Sequence, residues 1–301
     1  MKTRIFAAAL FLLLSSSTAL ADTSYQPFVL ASINDAGLEE QLENTIDALE
    51  AAGFTIAGKY MPIEGSAVIV VTNETLQQAA AASDRGGYAA GQRISVSERD
   101  GKTEVAYINP LYIQYAYRLD AELQAVLDSL EKALGNEGSF GAEKKMTAKK
   151  LGKYNYMMGM QKFDDPSELG SFSSFEEAVA AVESGLAREG DALSQVYRID
   201  IPGKEQAVFG VGMKATGNDE DEEDIDAAFQ MSIVDFEGNS KVAYFPYEIL
   251  VNGKDVEALH MRFRMAVHFP DLSMMGAHGF TKLMSSPGAT EDALEDLVKP
   301  E

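Results

Sequence analysis

Apolar residues recur at helical spacing in two distant stretches of the chain. Over 34–52, Leu38, Leu42, Ile46 and Leu49 form a stripe with charged residues between them, and Gly53 follows as a natural stop. Over 174–190 the stripe returns as Phe175, Val179, Val182 and Leu186, opened by the capping-box pair Ser174 and Glu177 and closed by Gly190. Phe175 lies 137 positions after Leu38, and Gly190 the same distance after Gly53. Each helix is followed by strand-forming runs. These are 54–59 and 67–72 around Pro62 and Gly65, then 193–201 and 206–213 around Pro202-Gly203. Residues 93–98 and 103–108 predict a hairpin about Asp100-Gly101, a strong turn dipeptide. The same shift of 137 pairs it with 230–236 and 241–245 about Glu237-Gly238. The spacing of Tyr112, Ala116, Leu119, Leu123, Val126, Leu127 and Leu130 predicts one long helix, and 154–163 a short strand.

These elements predict an α+β fold of two tandem duplicated modules, each a mostly antiparallel sheet with helices packed on one face. The first module is expected over 22–140 and the second over 154–301. The linker between them, 141–153, is rich in lysine, with Lys144, Lys145, Lys149, Lys150 and Lys153.

Residues 25–133 combine an amphipathic helix, Ala51-Ala52-Gly53-Phe54, a hairpin and then Asn109-Pro110-Leu111-Tyr112. In this layout the first module resembles the bacterial domain-of-unknown-function family number three hundred and two, a small α+β module. The second module departs from it, with Phe245-Pro246-Tyr247 where Asn-Pro-Leu-Tyr is expected. The resemblance implies a fold and transfers no catalytic residue.

Charge and composition narrow the function classes. Lys2 and Arg4, the apolar run 5–14 and Ala19-Leu20-Ala21 have the form of an export signal over 1–21, cleaved after Ala21. The expected location is a bacterial periplasm, with no later span long enough to cross a bilayer. The chain has no cysteine, which removes thiolate nucleophiles, Cys-ligated zinc and iron–sulfur clusters. A net charge of −22 repels phosphate backbones and anionic lipid, so nucleic-acid binding is not expected. The remaining partners are a small molecule or a periplasmic protein.

The candidate chemistry is sparse. His260, His268 and His278 all lie near the C-terminus beside Met261, Met265, Met274, Met275 and Met284. Thioether and imidazole together suit Cu(I). If 257–269 is a helix, Met261, Met265 and His268 share one face; if it is a strand, that copper site dissolves. Methionine is also ordinary core filler, the simpler account, and it serves equally for Met157, Met158 and Met160. Asn109 with Tyr112 and Tyr115, beside Tyr107 and Tyr117, could line a ligand cleft or pack a helix on a sheet. The acidic run 219–226 lacks the glycine and glutamate of an EF-hand loop and reads as a solvated face. Gly210-Val211-Gly212 lacks the following helix that a dinucleotide site needs. No nucleophile elbow, zinc-protease motif or singled-out carboxylate pair is present. The sequence therefore points to an exported binding or accessory protein and leans away from an enzyme. The alternatives are a Cu(I)-handling protein and an enzyme built on carboxylates and tyrosines.

Overall fold

The computed structural model describes residues 23–299 apart from 145, 189, 191 and 219–221, so the export-signal expectation lies outside the described residues. The first half runs β1 (Ser24–Tyr25), β2 (Phe28–Asn34), α1 (Leu38–Ala51), β3 (Thr55–Ile63), β4 (Ser66–Thr72), α2 (Glu74–Ala82), β5 (Gln92–Arg99), β6 (Lys102–Ile108), α3 (Pro110–Ala116), α4 (Gln124–Leu134) and β7 (Gly138–Phe140). The second runs β8 (Met146–Thr147), α5 (Ala148–Leu151), β9 (Ser167–Ser171), α6 (Phe175–Leu186), β10 (Leu193–Asp200), β11 (Gln206–Met213), α7 (Glu222–Ile225), α8 (Ala227–Val234), β12 (Tyr247–Asn252), β13 (Asp255–Ala258), α9 (Met261–His268) and α10 (Ser286–Val298). Short 3-10 turns cover Gly86–Ala89, Val242–Tyr244 and Phe280–Leu283.

The fold is α+β with antiparallel sheets, as the alternation of strand and helix predicts. One sheet has the order β3-β4-β5-β6-β2-β7 and the other β10-β11-β12-β13-β9. The first five strands of the former and the five of the latter are connected in the same way, each set built as strand, helix, hairpin, helical connection, hairpin. Two details follow the sequence closely. Ser174 Oγ accepts from the Glu177 amide at 3.2 Å while Glu177 accepts from the Ser173 amide at 3.0 Å, closing the N-terminus of α6. Asp100 and Gly101 both take positive φ, 51° and 74°, as a tight hairpin turn requires.

Four predicted elements are corrected. The stretch paired with the first hairpin, 230–245, is no hairpin: it holds α8 and a 3-10 turn. The counterpart hairpin is β12–β13, turning at Gly253. The shift of 137 between α1 and α6 has drifted to 141 at the ends of β4 and β11 and jumps to 155 at the starts of β5 and β12. The connection 214–246 is 14 residues longer than its equivalent 73–91 and displaces everything after it. An apolar run such as Ala227–Val234 has no period to separate strand from buried helix. The long helix predicted after the first hairpin is two helices, α3 and α4, broken where Arg118 adopts φ 52°. The predicted strand 154–163 forms turns, and the strand that opens the second sheet is β9. Residues 257–269 are divided between β13 and α9.

Helices α1 and α4 cover one face of the first sheet, burying Val29, Ile69, Val71, Ile94, Val96 and Val105 with Leu49, Val126 and Leu130. Helices α6 and α10 pack on one face of the second sheet and on each other. The other faces join in one larger core, in which Phe28, Val68, Val70 and Ile108 meet Ile199, Val208, Leu250 and Val267. The two halves thus share most of their interior. Within the segment expected as the linker, β8 pairs with β1 and Leu151 is buried.

Candidate functional site

Two regions bring chemistry-bearing side chains together, and both use α9. The first lies where the sheets meet. Arg93 and Glu248 are each the second residue of their strand, β5 and β12, which hold equivalent places in the two sheets. Arg93 Nη1 donates to Glu248 Oε2 at 2.9 Å, and its Nη2 lies 3.1 Å from His268 Nε2. Arg93 is a donor only, so Nε2 accepts and the imidazole proton sits on Nδ1, 2.8 Å from the Arg264 carbonyl. Tyr197 donates its hydroxyl to Glu248 Oε1 at 3.1 Å. Its ring crosses β11 at Gly210, where a Cβ would come within 2.1 Å of it. Gly210 is therefore needed for tyrosine packing, the reason a glycine stands in a central strand.

Arg264 completes this junction. It is wholly buried, with its guanidinium carbon 4.2 Å from the Tyr244 ring centroid and 4.7 Å from that of Tyr247. Its Nη2 donates to the carbonyls of Tyr244 and Pro246 at 2.6 and 2.5 Å. Its Nε and Nη1 find no hydrogen-bond acceptor among the described residues, and the two ring faces carry the charge instead. Burial holds the His268 pKa well below the ordinary histidine range, helped by the charges of Arg93 and Arg264. Burial also pushes Tyr117 up to about 12. Perturbed groups of this kind mark active sites when a cleft reaches them. Here Arg93, Glu248, Arg264 and His268 are all buried, and none lines any of the concavities described below.

The second region is a cleft between α9 and the segments on either side of it. Met265 projects from α9, Met157 and Met160 from the turn after α5, and Met274 from the loop after α9. Phe269, Leu272 and Phe280 complete an apolar wall; Tyr156 and Arg262 are the two lining residues with polar side chains. The cavity holds about 30 Å³. Its walls are tied by backbone bonds: Met160 N to Met157 O at 3.1 Å, Phe280 N to Ser273 O at 2.8 Å and Thr281 N to Met274 O at 3.0 Å. Tyr154 pins the turn to α9 through the Ala266 carbonyl, 2.7 Å away.

The sequence-predicted residues are distributed differently from expectation. Asn109 caps α3, accepting from the Leu111 amide at 3.1 Å and donating to the Gln26 carbonyl at 3.0 Å. Tyr112 is buried and donates to the Val267 carbonyl at 2.7 Å, while Tyr115 packs on Tyr25 at 5.1 Å between centroids. These three do not converge on a cleft. Of Met261, Met265 and His268, only Met265 lines the thioether cavity. Met261 is buried 3.5 Å from Thr290 Oγ1, and both nitrogens of His268 have partners. Among the described residues, no group of three or more His, Asp or Glu side chains could hold a metal ion. The sequence contained Met157, Met160 and Met274, but no local pattern links three segments so far apart. Glu248 carried one usable signal, a charge placed inside the apolar strand β12; Arg93, in the alternating strand β5, carried none.

A second concavity, of about 500 Å³, lies beside β9 and β13. Glu257 faces it opposite Glu168 in the strand register, bound by Arg85 Nε at 2.7 Å, with the Tyr88 hydroxyl at 3.5 Å. Burial raises the Glu257 pKa, against the pull of Arg85.

No family model, curated protein or solved structure matches the chain.

Proposed function

We propose that this protein is an exported, non-enzymatic binding or accessory protein whose ligand seat is the thioether-lined cleft beside α9. One observation carries the reading. The groups best suited to acid–base chemistry are consumed in joining the two sheets, while the cleft leaves Met157 and Met274 half exposed around an apolar cavity. Apolar concavities with a few fixed polar groups are the usual form of binding sites. The matching strand orders support descent of both halves from one copied unit, and the layout of the first half supports kinship with the domain-of-unknown-function family it resembles. The export signal supports a periplasmic location; the protein recovered from that compartment should begin at Asp22.

The test is thermal unfolding across a ligand panel. A ligand present at about a hundred times its Kd should add about 2.7 kcal/mol to wild-type stability. The same ligand should add nothing to Ala266→Val, whose two added methyl groups occupy a cavity of about 30 Å³.

The alternative of an enzyme built on carboxylates and tyrosines finds one favourable observation, the raised Glu257 beside Tyr88 in its own cleft. Turnover in a broad hydrolase and redox panel, abolished by Glu257→Gln, would replace the binding reading with this one.

A further inference from the structure

Four of the chain's thirteen methionines meet around one cavity. Methionine as core filler is buried, yet Met157 is 53% exposed and Met274 40%, while Met265, at 1%, is fixed on α9. The other lining side chains offer one phenol and one guanidinium, so thioether sulfur is the only soft donor present. Room for about 30 Å³ matches a single water-sized occupant. Organic ligands need about 300 Å³ or more. A water would have only Tyr156 and Arg262 as polar side-chain partners, whereas a soft cation is held by thioethers, of which four line the walls. We propose that the cleft is a site for one soft monovalent cation, Cu(I), held by Met157, Met160, Met265 and Met274.

The proposal rests on reading this cleft as the ligand seat. It differs from the grouping suggested by sequence, since Met261 and His268 take no part. The fixed sulfur of Met265 is the anchor, and the Met157–Met160 turn and the Met274 loop bring neutral donors over it. Hard Mg²⁺ and Ca²⁺ find no carboxylate here, and borderline Zn²⁺ no imidazole, thiolate or carboxylate. Arg262 is the one unfavourable neighbour, because its charge repels the cation.

The test uses the full processed chain, stripped of metal, titrated with Ag(I) in nitrate buffer as a redox-inert stand-in. Anaerobic Cu(I) competition against a chelator follows. One ion should bind per chain. Affinity should fall at least about tenfold in Met265→Leu and in Met157→Leu/Met160→Leu, which keep apolar volume and hence the fold. Met61→Leu and Met284→Leu, at exposed positions outside the cleft, should bind as wild type. Arg262→Gln should tighten binding severalfold. Absence of uptake, or equal binding in the Met265 and Met157/Met160 variants, overturns the proposal. A parallel titration with xenon, an apolar single atom, separates the two levels of the claim. If xenon binds wild type but not Ala266→Val, and Ag(I) binds neither, the cation is wrong and the cleft reading stands. If neither probe binds, both fall.

Discussion

Around Glu248, α9 contributes Arg264 and His268 to a cluster in which every charged group is buried. Farther round the same helix, Met265 turns to a cleft whose other methionines are partly exposed. At about 100° per residue, positions 264 and 268 fall on one side of the helix and 262, 265, 266 and 269 on another. A third side places Phe263 against Tyr117, Tyr154 and Phe163. The ionic side fixes how the two sheets meet. The thioether side has no comparable duty, since no described residue fills its cleft. Side chains with strongly shifted pKa values therefore mark the structural joint here, and the chemically quiet sulfurs mark the candidate site.

Breaking the ionic side should have the largest effect. Glu248→Gln leaves Arg93 and Arg264 buried without a counter-charge and should cost about 3–5 kcal/mol in urea unfolding. A loss below about 1 kcal/mol would mean that water reaches the junction. The next effect is pH-dependent. His268 is neutral in the folded chain, with its pKa held well below the ordinary 6.5, so the unfolded chain binds the extra proton. Its contribution is fully present above pH 6.5 and is lost as pH falls, by up to about 1.4 kcal/mol per unit. Glu257 has the opposite sign. Its raised pKa adds stability that is complete below 4.5 and lost as pH rises through the folded value. Unfolding midpoints between pH 7 and 5 should therefore decline, and His268→Gln should flatten that decline while Glu257→Gln leaves it in place.

Smaller effects sharpen the contrast. Tyr112→Phe removes the hydroxyl that ties α3 to the Val267 carbonyl and should cost about 1 kcal/mol by denaturant melt, with no change in ligand binding. Met261→Leu and Met265→Leu should each cost less than about 1.5 kcal/mol. Only the second should alter Ag(I) uptake, because Met261 faces Thr290 rather than the cleft.

The outer layer of the fold was legible because its elements are amphipathic. Leu38, Leu42, Ile46 and Leu49 carry a helical period, and Asp100-Gly101 names its own turn. What failed carries no apolar period: 230–236, read as the first strand of a hairpin, lies largely in α8, which buries Ala227, Gln230, Met231 and Val234 and leaves Ala228 and Ser232 exposed. The offset caused by the longer connection 214–246 also hid the hairpin at Gly253. Of the cleft, Met265 was singled out, beside Met261 and His268, which do not line it. Sequence spacing predicts which residues share a helix face. It does not predict that a turn at Met157 and a loop at Met274 will close over that face, which depends on how distant segments pack.

The most direct test of the division of α9 is methyl NMR of the protein labelled at its methionine εCH₃ groups, recorded during Ag(I) titration. The resonances of Met157, Met160, Met265 and Met274 should move together and saturate at one equivalent, while Met261 stays fixed. Movement of Met261 with the His268 ring signals, or no saturable shift at any methionine, would contradict the account.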